Sequence, residues 1–138
     1  MKNIHVKNAL SKLSNSSLKL TRQRQELIDL LFLNGNAHFT AEDVHQMIIE
    51  KKKNISLATI YNCLNQFTKA GILKTVKTAY DKIYFDTNTD PHHHFFHKAN
   101  NKLEDIEINK IGISKLPKIP NKKAVKSIEV LITLEEKG

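Results

Sequence analysis

Residues 56–71 read SLATIYNCLNQFTKAG, and the helix written there decides how the rest of the chain is understood. Ser56 is a favoured N-cap residue and Gly71 a favoured residue just past a helix end, so both boundaries are marked. At about 100° per residue, Leu57, Ile60, Leu64 and Phe67 fall on one narrow apolar stripe. Ala58, Thr59, Asn62, Asn65, Gln66 and Lys69 lie away from it, giving an outer face that is small, amide-rich and free of acid. Asn and Gln pair with adenine edges, and Thr or Ala methyls meet thymine methyls in the major groove, so the face suits DNA as well as solvent.

The flanking sequence chooses between those readings. Upstream, Thr21 caps a helix expected to run to Asn34, with Leu27, Ile28, Leu30 and Leu31 inward and Gly35 ending it. Thr40 caps the next, with Glu42 and Asp43 in the first turn where the helix dipole favours acids and with Val44, Met47 and Ile48 toward the core. Lys51, Lys52, Lys53 and Asn54 close it. A short amphipathic helix over residues 3–13 would use Ile4, Val6, Leu10 and Leu13. Downstream, residues 72–76 and 83–85 are β-type runs around the polar turn at 78–82. Helices followed by a basic hairpin make a winged helix-turn-helix.

Residues 86–91 are rich in turn formers and read as a hinge. Beyond them come a histidine-bearing strand, an antiparallel partner around Leu103, a Pro-marked loop at 116–120, and a last strand in which Ile128, Val130, Ile132 and Leu134 alternate with other residues. The fold class is therefore α+β: an N-terminal winged helix-turn-helix over residues 1–86, followed by a small α/β dimerisation domain over residues 87–138. About fifty residues in short strands bury little surface, so a second copy across a two-fold axis is expected to complete that core.

Charge is unevenly placed. Residues 1–80 carry twelve Lys/Arg against five Asp/Glu, whereas residues 81–138 carry ten against nine. A basic first half favours a polyanionic partner, because Lys and Arg displace counterions condensed on phosphates. No apolar run approaches the ~20 residues of a membrane span, and the first residues lack a signal peptide's apolar stretch, so a cytoplasmic location without membrane contact is expected. The single cysteine, Cys63, excludes an intrachain disulfide and any multi-cysteine metal site within one chain. It lies near the apolar stripe and reads as a buried, unreactive thiol.

Residues 90–97, DPHHHFFH, hold four of the seven histidines. On a strand, successive side chains point to opposite faces, so His92 and His94 share one face and His93 takes the other. Mixed imidazole and carboxylate ligands suit Fe(II), Mn(II) or Zn(II). His5, His45 and His97 have no nameable partner and read as surface residues.

Together, His38-Phe39-Thr40-Ala41-Glu42-Asp43-Val44, Ser56-Leu57-Ala58-Thr59-Ile60-Tyr61-Asn62, Tyr84-Phe85-Asp86 and His92-His93-His94 resemble the ferric uptake regulator (Fur) family, over about Leu18 to Ile106. Residues 84–96, YFDTNTDPHHHFF, and 65–71, NQFTKAG, look most like the iron response regulator (Irr) branch, a haem-responsive repressor. The resemblance implies a homodimeric repressor on palindromic, double-stranded operator DNA. It places Tyr61 and Asn62 near bases and Arg24 near the DNA backbone; Ala58 and Thr59 from the outer helix face, and Ser56 at its cap, complete the expected DNA-binding set. It implies metal ligands at His38, Asp86, His92, His94 and Asp105, and haem at His92, His93 and His94 through an imidazole axial ligand. The cofactor is then haem, a divalent Fe, Mn or Zn ion, or both, controlling the angle between the two halves.

The chain also departs from the family pattern. The first Cys-x-x-Cys pair is replaced by His97 and Asn100 and the C-terminal pair is absent, which excludes a structural four-cysteine zinc. Cys63 is followed by Leu64, so the Cys-Pro haem motif is missing, and residues 125–134 contain no histidine to partner His93. A haem-independent Fe(II), Mn(II) or Zn(II) sensor is the alternative. An enzyme is not expected, since no His-Glu-x-x-His base, phosphate loop or nucleophile constellation is present. A small dimerising adaptor without DNA is disfavoured by the polar helix face and the basic first half.

Overall fold

Residues 3–138 are described in the computed structural model, beginning with Asn3, whose side chain accepts the Val6 amide and caps helix α1 (Ile4–Ser14). α1 buries Val6, Ala9 and Leu13. Ile4, expected on that face, lies on the opposite side of the helix at about 100° per residue and is exposed. Helix α2 (Arg22–Leu31) is capped by Thr21 as expected and buries Leu27, Ile28 and Leu31. It stops short of Asn34 because Asn3 Nδ2 takes up the carbonyls of Phe32 and Leu33, at 3.3 Å each, and draws the chain out of the helix. Gly35 closes the following turn at φ +82°, where a Cβ would stand 3.2 Å from the His5 ring. His5 is exposed, as expected, with its ring lying beside this glycine.

Helix α3 (Ala41–Glu50) starts with a reciprocal cap, in which the Thr40 hydroxyl accepts the Asp43 amide and the Asp43 carboxylate accepts the Thr40 amide. Thr40→Ala should therefore lower unfolding free energy by about 1 kcal/mol. A urea midpoint indistinguishable from wild type would show that the cap contributes nothing. Helix α4 (Leu57–Lys69) buries Ile60, Cys63, Leu64 and Phe67, while Leu57, in the first turn, stays exposed. After Gly71, at φ +78°, the Ile72 and Leu73 amides both return to the Phe67 carbonyl.

The chain then forms a sheet of three strands in the order β1-β3-β2. These are β1 (His38–Phe39), β2 (Lys74–Lys77) and β3 (Ile83–Asp86), antiparallel throughout, with Val76 opposite Tyr84 and Phe39 opposite Phe85. β2 and β3 are the wing, joined by a turn in which the Thr78 amide donates to the Lys82 carbonyl and Asp81 takes a positive φ. The four helices and Phe85 share one core.

Two units are present, Met1–Thr89 and Asp90–Gly138. The division lies three residues past Asp86, within the turn-rich stretch 86–91. Asp86 is the fully buried end of β3, Thr87 exchanges hydrogen bonds with Ala37 through backbone and side chain, and the Asn88 amide donates to the Asp86 carboxylate. Those bonds hold residues 87 and 88 to the first unit.

In the second unit, β4 (His93–His97) lies between β5 (Lys102–Ile106), antiparallel to it, and β6 (Leu131–Leu134), parallel to it. A parallel neighbour needs a long crossover. Here a single 3-10 turn (Ile108–Lys110) and an irregular stretch supply it, so among the described residues this unit has no α-helix. Its buried apolar residues are Phe96, Leu103 and Ile106. β6 departs from the expected alternation: Leu131 and Leu134 are half-buried while Ile132 is exposed. No helix of the described residues is long and apolar enough to cross a membrane.

Candidate functional site

In the first unit, β1 and β3 place His38 directly opposite Asp86. Asp86 is fully buried and accepts the Asn88 amide at 2.9 Å, so its carboxylate is held in one direction. The short β1 exists because the loop before α3 adds onto the wing, a tertiary event with little local sequence signal.

In the second unit, His94 on β4 stands opposite Asp105 on β5. The Nε2 atoms of His92 and His94 each lie 3.3 Å from Asp105 Oδ1, with the ring centroids 4.4 Å apart. Both rings are buried, and the carboxylate is partly open to solvent. His92 Nδ1 lies 2.7 Å from the Asp90 carbonyl. A carbonyl only accepts, so the neutral ring carries its proton on Nδ1 and turns its Nε2 lone pair toward Asp105. A proton on the ring or a metal ion between ring and carboxylate would each satisfy that facing pair, and two imidazole nitrogens with one carboxylate are donors that Fe(II), Mn(II) and Zn(II) accept.

His93 points the other way. It is buried, and its Nδ1 accepts the Val130 amide at 2.8 Å. Its proton must then sit on Nε2, which leaves no ring nitrogen with a lone pair to offer a metal or haem iron. The residue partnering His93 is a backbone amide, which no side-chain motif announces. His97 pairs with Glu104 at 2.9 Å across the strands, although no partner for it was expected.

On α4, Ala58, Asn62, Asn65 and Lys69 are exposed along one line. Thr59 is half-buried, and the Ser56 hydroxyl is occupied by the cap, accepting the Thr59 amide and donating to the Thr59 hydroxyl. Tyr61 packs edge-on against Phe85 at 6.1 Å. Arg24, expected near the DNA backbone, donates to the Lys19 carbonyl and to Gln66 Oε1 on α4, so its guanidinium braces this helix. Cys63 is a buried thiol whose pKa burial pushes up, opposed in part by the nearby Arg24 charge. It therefore stays protonated and unreactive. Burial, and then the Asp43 charge, likewise raise the Tyr84 phenol.

Residues 15–135 match the Ferric uptake regulator family. The chain belongs to this family. A ferric uptake regulation protein of Neisseria meningitidis is 35% identical over 86 residues, which are 62% of this chain and 60% of that protein. The match thus spans less than two thirds of that family member. The peroxide-responsive repressor PerR of Staphylococcus epidermidis is 32% identical over 101 residues, 73% of this chain and 67% of its own. These family members are regulators and repressors, not enzymes. The Pseudomonas aeruginosa ferric uptake regulator, solved with manganese, has the same fold at a TM-score of 0.71 and 20% identity, covering 94% of this chain and 98% of that one.

Proposed function

We propose that this family member is a metal-responsive repressor that reads operator DNA as a cytoplasmic homodimer. The observation that carries the reading is the pair of imidazole nitrogens aimed at one Asp105 oxygen. His92, His94 and Asp105 form the proposed ligand set of the second unit for an Fe(II), Mn(II) or Zn(II) ion, and His38 and Asp86, opposite each other in the first, are proposed as metal ligands as well. When bound, the ion supplies charge neutralisation and links its ligands. The Pseudomonas aeruginosa ferric uptake regulator was solved with manganese, which is in keeping with a divalent ion as effector.

Ala58, Thr59, Tyr61 and Asn62 form the proposed base-reading face. Ser56 serves that face as its cap, and Arg24 steadies it through Gln66. Ala58 and Asn62 lie on the exposed line of α4, which supports this reading for them, as do lysines on the wing at Lys74, Lys77 and Lys82.

The finer reading is an Irr-type sensor with haem on the His92-His93-His94 run. It requires one of three buried rings to turn outward, and His93 would have to release Val130. Metal is therefore the favoured effector. Operator affinity measured for purified protein with Zn(II), Mn(II), Fe(II) and haem separates the two. The metals should change it ~5–150-fold, corresponding to ~1–3 kcal/mol of coupling. Saturated metal sites with unchanged operator affinity would discard the metal reading, and a response confined to haem would establish the other.

A further inference from the structure

We propose that His93 is the pin that fastens the long crossover to β4 and passes ligand capture by its strand neighbours to β6. His93 is only 2% exposed and lies on the strand face opposite His92 and His94. Its Nδ1 accepts the Val130 amide at 2.8 Å, while the amide of the next residue, His94, donates to the Val130 carbonyl at 3.0 Å. One peptide-bearing residue is therefore gripped on both sides by two consecutive residues of β4. Between the 3-10 turn and Val130 the chain has no regular element, and β6 begins at the next residue, Leu131, in register with His94. Val130 is where that irregular stretch becomes a strand.

His94 belongs to the proposed metal set, so the clasp on Val130 has one member that meets the ion and one that does not. Holding His94 in place holds its amide against Val130, and by reciprocity a well-held Val130 favours the ligand-ready His94. This coupling rests on the metal-binding reading above; the pin itself does not. An apolar residue at 93 would leave the Val130 amide without its acceptor inside the sheet, whereas the Asn side-chain oxygen stands close to where Nδ1 stands.

The test is amide hydrogen exchange on the full chain, wild type against His93→Leu and His93→Asn, each with and without Zn(II). Val130 should exchange about tenfold faster in His93→Leu, near the value for a partly buried donor losing its acceptor. Zn(II) should slow Val130 exchange in the wild type and in His93→Asn but not in His93→Leu. Wild-type exchange in His93→Leu, or a His93→Asn variant as defective as His93→Leu, overturns the pin. Imidazole nitrogen spectra of the wild type provide a check independent of variant folding. They should report the Nε2–H tautomer for His93 with a coupling from its Nδ1 to the Val130 amide nitrogen, and the other tautomer overturns the proposal. A wild type that binds no Zn(II) refutes the metal reading alone, since the metal-free comparison still judges His93.

Discussion

Replacing His92 and His94 together by alanine is expected to lower Zn(II) or Mn(II) affinity at least ~100-fold and to abolish the metal effect on operator binding. Loss of a group that merely orients a ligand costs ~10–100-fold, so loss of two ligands should reach or exceed the upper value. The two rings also hold the Asp105 carboxylate between them, and the variant lacks both imidazole donors. Helix α4, proposed to read bases, is built on the core of the first unit, so duplex DNA should still be retarded by the metal-free variant. Competition against a chromophoric chelator measures the affinity, and circular dichroism confirms the fold. Both rings are buried, so His92→Gln with His94→Gln offers a variant with smaller cavities. Unchanged metal affinity in a folded variant would remove these residues from the ligand set.

Phe67→Ala should cost the first unit about 3–5 kcal/mol, the range for truncating a fully buried aromatic side chain. Small domains have only ~5–15 kcal/mol in total, so much of the protein would unfold at modest urea concentration and DNA binding would fall with it. Phe67 is fully buried, and its carbonyl receives the Ile72 and Leu73 amides that turn the chain from α4 toward the wing. Asn62→Ala, on the exposed face of the same helix, should leave stability within about 0.5 kcal/mol. Equal urea midpoints for Phe67→Ala and wild type would contradict this packing.

The difference between those two positions was legible in sequence because helical periodicity separates inward from outward residues on α4 without help from any other element. The caps at Thr21, Thr40 and Ser56 were legible for a similar reason, each depending on bonds within three residues. Periodicity failed at the chain's less regular edges. Ile4 and Leu57 sit in first turns whose neighbours are set by tertiary packing, and Ile132 lies on a strand with β4 as its sheet neighbour. Strand alternation placed His93 on the face opposite His92 and His94, yet gave no sign that its partner would be the Val130 amide, thirty-seven residues away.

Residue type and spacing by themselves determined the helices, the wing, the nitrogen-and-oxygen character of the candidate ligands and which histidines share a face, since each follows from composition or from bonds and periodicities spanning a few residues. Tertiary structure decided that Asp86 is a buried strand end rather than part of a hinge, that Arg24 braces α4, and that Asp105 receives two imidazoles. Those outcomes depend on which strands become neighbours and in what register, and register is settled only when distant segments bury their side chains together.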